Sequence, residues 1–173
     1  MNNPSHGFSL FELLIATAVI GIVSALAVPA YRSYIDTANM TKVTANFEQG
    51  LWVGQSTFAK DKTRVTIGLP RTAPSDTQGW IELLNKGGVQ APGGGPADIP
   101  STNNKTSGRG DAEKGVVGVQ WFAARESKVR KNGSVRPVRD AMLRLWRPLY
   151  LSFVEQRAEI SDEGIDIRIQ RKN

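Results

Sequence analysis

A long uncharged run near the start of the chain limits what it can fold into more than any other feature. Leu13 through Ala30 is 18 residues without a charge, and extension back to Phe8 gives 23 in which Glu12 is the only ionisable side chain. As a helix the longer stretch spans roughly 34 Å, enough to cross a bilayer. An ionised carboxylate in that apolar phase costs several kcal/mol unless it snorkels or finds a partner. Near the helix N-terminus the backbone dipole gives Glu12 some relief. A plain membrane anchor explains the length and leaves the acid unexplained. A secretory signal is suggested by Ala25-Leu26-Ala27 and Val28-Pro29-Ala30, which mimic a small-x-small cleavage pattern. Against it, the preceding MNNPSHG has no Lys or Arg, and the run exceeds the ~7–15 residues of a normal signal core.

The order of residues is more informative than their polarity. A short polar leader ends in Gly7, and Phe8-Ser9-Leu10-Phe11-Glu12-Leu13-Leu14-Ile15 follows. A small-residue apolar helix then contains Pro29 and closes on Tyr31 and Tyr34. This stretch resembles the class III signal of type IV pilins and of the related type II secretion pseudopilins. The resemblance implies that a prepilin peptidase cuts between Gly7 and Phe8 and methylates the new amino terminus. It also resolves the Glu12 problem. The freed α-amine of Phe8 is a positive charge one helical turn from the carboxylate, and an adjacent subunit's amine can reach the same group.

Beyond Pro29 the chain keeps apolar residues at helical spacing, Ile35, Met40, Val43, Phe47, Leu51 and Phe58, with no further proline. One helix from Phe8 to about Ala59 is expected, apolar all round in its front half and one-sided in its back half. Pro29 lacks the N–H for an i−4 bond, which makes it an expected kink, and Gly21 is a second soft point.

From Thr63 to about Lys114 the composition turns to Gly, Pro, Ser and Asn, so surface loop is expected with a turn or two of helix around Trp80 to Leu84. Gly93-Gly94-Gly95 has no Lys-Ser/Thr behind it and does not read as a phosphate cradle. Strand signals follow over 115–125, 141–160 and 164–170, the last alternating Ile165, Ile167 and Ile169 with Asp166, Arg168 and Gln170. The final strand is expected to be held by sheet pairing and by those isoleucines. Lys131-Asn132-Gly133-Ser134 and Asp162-Glu163-Gly164 read as turns, and Pro148 as a break between strands. The acids Asp162, Glu163 and Asp166 have a spacing compatible with calcium but are read as turn acids, with no metal or cofactor assigned.

The resemblance implies an α+β fold, a long N-terminal helix whose second half packs on a small antiparallel sheet. The expected divisions are a leader over 1–7, a membrane and assembly half-helix over 8–30, an amphipathic half-helix over 31–59, a Gly/Pro-rich loop over 60–114 and the sheet of a globular head over 115–173.

Cysteine is absent and His6 is the only histidine. Removal of the leader would leave neither, which excludes Ser-His-Asp and Cys-His chemistry and speaks against an enzyme. Lys and Arg number 22 against 16 acids, and residues 105–147 hold 11 of those cations against four acids. The positive field therefore belongs to the globular end. Arg125, Lys128, Arg130, Lys131, Arg136 and Arg139 are candidates for binding DNA or another anionic surface. The alternative is a solvated sheet rim, with Trp121, Phe122 and Trp146 in the core. The resemblance implies a structural subunit that homo-oligomerises into a helical filament. Its implied partners are a prepilin peptidase, an inner-membrane assembly platform and minor pilins. Its implied location is the bacterial inner membrane and then an extracellular pilus. A minor pilin that binds DNA, or a periplasmic pseudopilin of type II secretion, is the alternative role.

Overall fold

The structure is a computed structural model that describes residues 7–101, 109–129 and 134–169. The expected leader residues 1–6, Lys105, Arg130, Lys131 and most of the turn at 131–134 lie outside the described residues. Two compact units divide at Ala38 and Asn39.

The first unit is helix throughout its described length after Ser9. Helix α1 (Leu10–Thr66) begins here and runs unbroken through Gly21 and Pro29. Its residues up to Ala38 are all exposed. No described side chain within this unit covers Leu10, Phe11, Ile20 or Leu26, which is the surface expected of a segment whose solvent is lipid or other helices. Among the described residues α1 is long and apolar enough to cross a membrane.

In the second unit the remainder of α1 lies on a sheet. Helix α1 reaches Thr66, seven residues beyond the end near Ala59 expected from composition. The stop is a Schellman turn: Gly68 takes φ +78°, its N–H donates to Val65 O, and the Leu69 N–H reaches back to Arg64 O at 2.8 Å. Pro70 follows, where a helix could not continue.

The face of α1 turned to the core carries Val43, Phe47, Gly50, Gly54, Phe58 and Asp61. The two glycines set how close the helix can come. A Cβ on Gly54 would lie 2.7 Å from Ile160 Cδ1 and 3.2 Å from Leu143 Cδ2, and one on Gly50 would lie 2.9 Å from Leu145 Cδ1. Those contacts would force the sheet side chains to shift.

Helix α2 (Thr77–Leu84) is capped by Asp76, whose carboxylate accepts the Gly79 N–H at 2.7 Å. It places Trp80 against both Phe58 and Trp121, with ring centroids 5.7 Å from each, and those two rings lie 6.0 Å apart. The strands are β1 (Asp98–Pro100), β2 (Gly110–Asp111), β3 (Val116–Phe122), β4 (Lys128–Val129), β5 (Val135–Arg136), β6 (Met142–Arg147), β7 (Gln156–Ser161) and β8 (Gly164–Ile169). The main sheet runs β1-β3-β6-β7-β8, with β2 also on β3, and β4 and β5 form a separate ribbon. All pairs are antiparallel except β1 with β3, where Asp98 aligns with Val117. The fold is thus the α+β arrangement, with one parallel strand supplied by a segment whose composition reads as loop.

Strand β8 is held by six register pairs with β7, from Ser161↔Gly164 to Gln156↔Ile169. Ile165 packs against the core, whereas Ile167 and Ile169 are exposed. The expected sheet pairing and Ile165 therefore fasten this edge strand, while Ile167 and Ile169 do not contribute as expected.

Two buried acids behave oppositely. Burial raises the Asp61 pKa, but the Thr72 and Ala73 amides, the Thr72 hydroxyl and nearby Arg71 outweigh it and hold the carboxyl below its usual range. The Thr72 N–H lies 2.7 Å from Oδ1 and the Ala73 N–H 3.0 Å from Oδ2, which ties the loop after α1 to the helix. Asp98 is buried at the start of β1. Its backbone is clamped by Asn85, while its Oδ1 has no hydrogen-bond partner among the described residues. Burial pushes its pKa up to about 7. A raised acid pKa contributes stability that is complete below the unfolded value and is lost as pH rises towards 7. Asp98→Asn should therefore raise unfolding free energy at pH 8 by roughly 3 kcal/mol and change it little at pH 4. Urea unfolding of the full chain in detergent at the two pH values measures this, and equal effects at both would contradict it.

Candidate processing and assembly site

Ser9 and Glu12 make a reciprocal cap at the start of α1. The Ser9 N–H donates to Glu12 Oε2 at 2.9 Å and the Ser9 hydroxyl donates to the same oxygen at 2.8 Å. In return the Glu12 N–H donates to Ser9 Oγ at 3.2 Å, and the Leu13 N–H closes the first turn on Ser9 O at 3.2 Å. This is the capping box, Ser-x-x-Glu, in which each residue satisfies an amide the helix leaves orphaned. Charge alone singles out Glu12 in the sequence. Ser9 is a site residue that charge does not flag, although the Ser-x-x-Glu spacing before an apolar run is a legible signal for it.

One carboxylate oxygen is thus engaged by two donors. The other, Oε1, takes no donor among the described residues. The cap uses the Ser9 amide and hydroxyl, both on the far side of the Gly7–Phe8 bond. Cutting that bond would leave the cap in place and add an α-amine one residue before it.

Gly7 and Phe8 are exposed ahead of the helix. A Cβ at Gly7 would meet nothing within 4 Å, and neither would one at Gly21. Among the described residues nothing therefore requires glycine at either position. At Pro29 the helix lacks one backbone donor.

The cationic candidates divide into two places. Arg125 and Arg139 face each other in a backbone bridge, and Lys128 and Arg136 pair across β4 and β5. Arg130 and Lys131 lie beyond the described residues. The aromatics interleaved with them separate: Trp121 joins the core, Phe122 lies under the guanidiniums of Arg139 and Arg144, and Trp146 is buried beside Arg144. Asp166 is engaged by Arg168 at 2.7 Å.

Comparison with known proteins points the same way as the helix start. A family model described as the prokaryotic N-terminal methylation motif matches residues 2–28. Fimbrial protein Q of Moraxella bovis is 31% identical over 150 residues, which cover 78% of this chain and 91% of that protein. A fimbrial protein of Pseudomonas aeruginosa is 30% identical over 118 residues, 64% of this chain and 75% of its own length. The type IV major alpha-pilin of Moraxella bovis is 38% identical over 63 residues, 36% of this chain and 40% of that one. No solved structure matches. With a methylation motif over its capped apolar helix and identity along nearly the whole of a fimbrial protein, this chain belongs to the type IV pilin family.

Proposed function

We propose that the chain is a structural pilin subunit, made as a precursor, cut between Gly7 and Phe8, methylated on Phe8 and polymerised into a type IV pilus-like filament. The observation that carries this reading is Glu12, an acid inside an apolar helix with one oxygen capped and the other without a donor among the described residues. In the mature chain the Phe8 ammonium is the nearest positive group in sequence, and the same group on an incoming subunit can reach Oε1. Charge-assisted hydrogen bonds in a water-excluded bundle are worth about 1.5–3 kcal/mol each. Residues 8–30 hold the subunit in the inner membrane before assembly, and the exposed apolar surface of this half-helix is then buried against other copies in an extracellular pilus.

The partners of this cycle are a prepilin peptidase, an inner-membrane assembly platform, minor pilins and further copies of the chain. Gly21 and Pro29 are the points at which the helix yields when it is packed or stretched, because one adds no side chain and the other removes a ladder bond. A pilin is favoured over a secretion pseudopilin because the relatives are named as fimbrial proteins and pilins.

Mass spectrometry of the assembled subunit tests the reading. The expected N-terminus is methylated Phe8. A subunit that begins with Met1 lacks the ammonium beside Glu12, and one that begins with Tyr31 lacks the whole span, so either result would overturn it.

A further inference from the structure

Apolar side chains turn outward from the loop between β6 and β7. Pro148 and Tyr150 are buried, whereas Leu149, Leu151 and Val154 are 45%, 52% and 45% exposed. Gathered in one short loop, these three make a patch rather than scattered exposure. The loop itself is well fixed. The Phe153 N–H donates to Tyr150 O at 2.9 Å, the Arg147 guanidinium lies 4.4 Å from the Phe153 ring centroid, and Arg109 holds Glu155 at 2.7 Å.

Leu151 suits its place least. It takes φ +51°, a left-handed conformation in which a Cβ crowds the backbone, and among the described residues it is the only non-glycine to do so. Glycine or asparagine would close the same turn with less strain. Half of the leucine surface stays exposed, so the core gains little from it either. A side chain that neither the backbone nor the packing calls for points outside the protein for its use.

Where the loop is attached identifies the surface it meets. The Ser152 hydroxyl donates to Met40 Sδ at 3.0 Å, and a Cβ on Gly115 would lie 2.6 Å from Val43 Cγ2 and 3.2 Å from the Tyr150 ring. The loop is thus seated where the second unit begins, at Asn39. The uncharged run ends at Ala30, and Tyr31 and Tyr34 follow, exposed aromatics of the kind that settle at the headgroup level of a bilayer. From Tyr34 to Met40 the helix α1 rises only about 9 Å. Apolar side chains of interfacial segments enter a bilayer by about 5–10 Å. The patch is therefore within reach of the membrane that takes the span, and a lone subunit held by that span meets lipid before it meets another copy.

We propose that Leu149, Leu151 and Val154 insert into the headgroup region of the bilayer that holds α1, giving the unassembled subunit a second membrane contact. The contact rests on the membrane-held state of the proposed function and must be withdrawn before the subunit joins a filament.

The chain has no cysteine, so a single introduced thiol carries a nitroxide label at one defined place. Leu151→Cys in the full chain, with a single copy in each phosphatidylcholine nanodisc, is read by power saturation. Oxygen, which concentrates in lipid, is compared with a nickel chelate, which stays in water. The label should be oxygen-favoured, at a depth of about 5–10 Å within the headgroup boundary. Val154→Cys should read the same, whereas Ile67→Cys, exposed at the far end of α1 and roughly 40 Å from Met40, should read as water. Leu149→Ser with Leu151→Asn should return the Val154 label to water and leave the melting temperature level or raised, since asparagine tolerates the positive φ. Leu26→Cys reports on the span itself. Lipid at Leu26 with water at both Leu151 and Val154 overturns this proposal alone, and water at Leu26 overturns the membrane reading with it. A Leu151 label that is wet in the nanodisc but shielded in sheared filament assigns the patch to a neighbouring subunit, and overturns the proposal as well.

Discussion

Glu12→Ala should leave a chain that is processed and membrane-held yet yields roughly 10- to 100-fold less sheared filament. The estimate follows from losing one charge-assisted contact of about 1.5–3 kcal/mol per subunit added, where 1.4 kcal/mol is a factor of ten. Alanine also removes the capping box, which by itself costs about 1 kcal/mol. Two further variants separate the causes. Glu12→Gln keeps an acceptor for the Ser9 N–H and hydroxyl but carries no charge, so it should assemble nearly as poorly as alanine. Ser9→Ala keeps the charge and loses the hydroxyl, so it should assemble nearly as well as wild type. The measurement is the ratio of sheared filament to membrane pool on a quantitative gel. Glutamine assembling like wild type would reduce Glu12 to a helix cap and remove the role of the Phe8 ammonium.

Gly7→Arg should abolish cleavage, with all the chain recovered from the membrane carrying its seven leader residues. The structure sharpens this expectation, because Gly7 is exposed and a Cβ there meets nothing within 4 Å. The substitution should therefore leave the melting temperature of the protein unchanged and act only through recognition of the bond after residue 7. Without the new amine, Glu12 retains its cap but gains no cation, so filaments should be absent as well. Mass spectrometry of the membrane pool gives the outcome. Normal trimming of the Gly7→Arg precursor would show that glycine is not what the processing enzyme reads.

The helix start shows how far the sequence reaches. Ser9 and Glu12 are three apart, and all the atoms of their cap belong to one turn, so spacing alone is enough to predict it. The helix end is equally local. The Gly68, Leu69 and Pro70 order that closes α1 stands in the sequence, but the Gly/Pro-rich tone of the following segment masks it and places the expected end near Ala59. The terminal hairpin is legible for the same reason as the cap, since Asp162-Glu163-Gly164 lies directly between the paired strands.

Gly50 and Gly54 are not legible, because a helical glycine reads as a weak point until the side chains of Leu143, Leu145 and Ile160 are seen against it. Nor is Asp98. Its segment reads as loop, and only the parallel pairing with Val117 puts that carboxyl into the core. The cations are visible as a count, but their placement is not. Arg125 and Arg139 meet through a bridge, while Arg144 joins them only because β6 lies beside β3.

From its residues alone this chain determines an apolar span, a capped acid at its head, and the strands β3, β6, β7 and β8 with the turn between the last two. Each rests on periodicity or on groups within a turn of one another, and such interactions form wherever the segment goes. Tertiary structure decides which face of α1 meets the sheet, which acid is stripped of water and which guanidiniums converge on Phe122. Those outcomes depend on strand register between distant segments, and register is set by how the whole core packs rather than by any one segment.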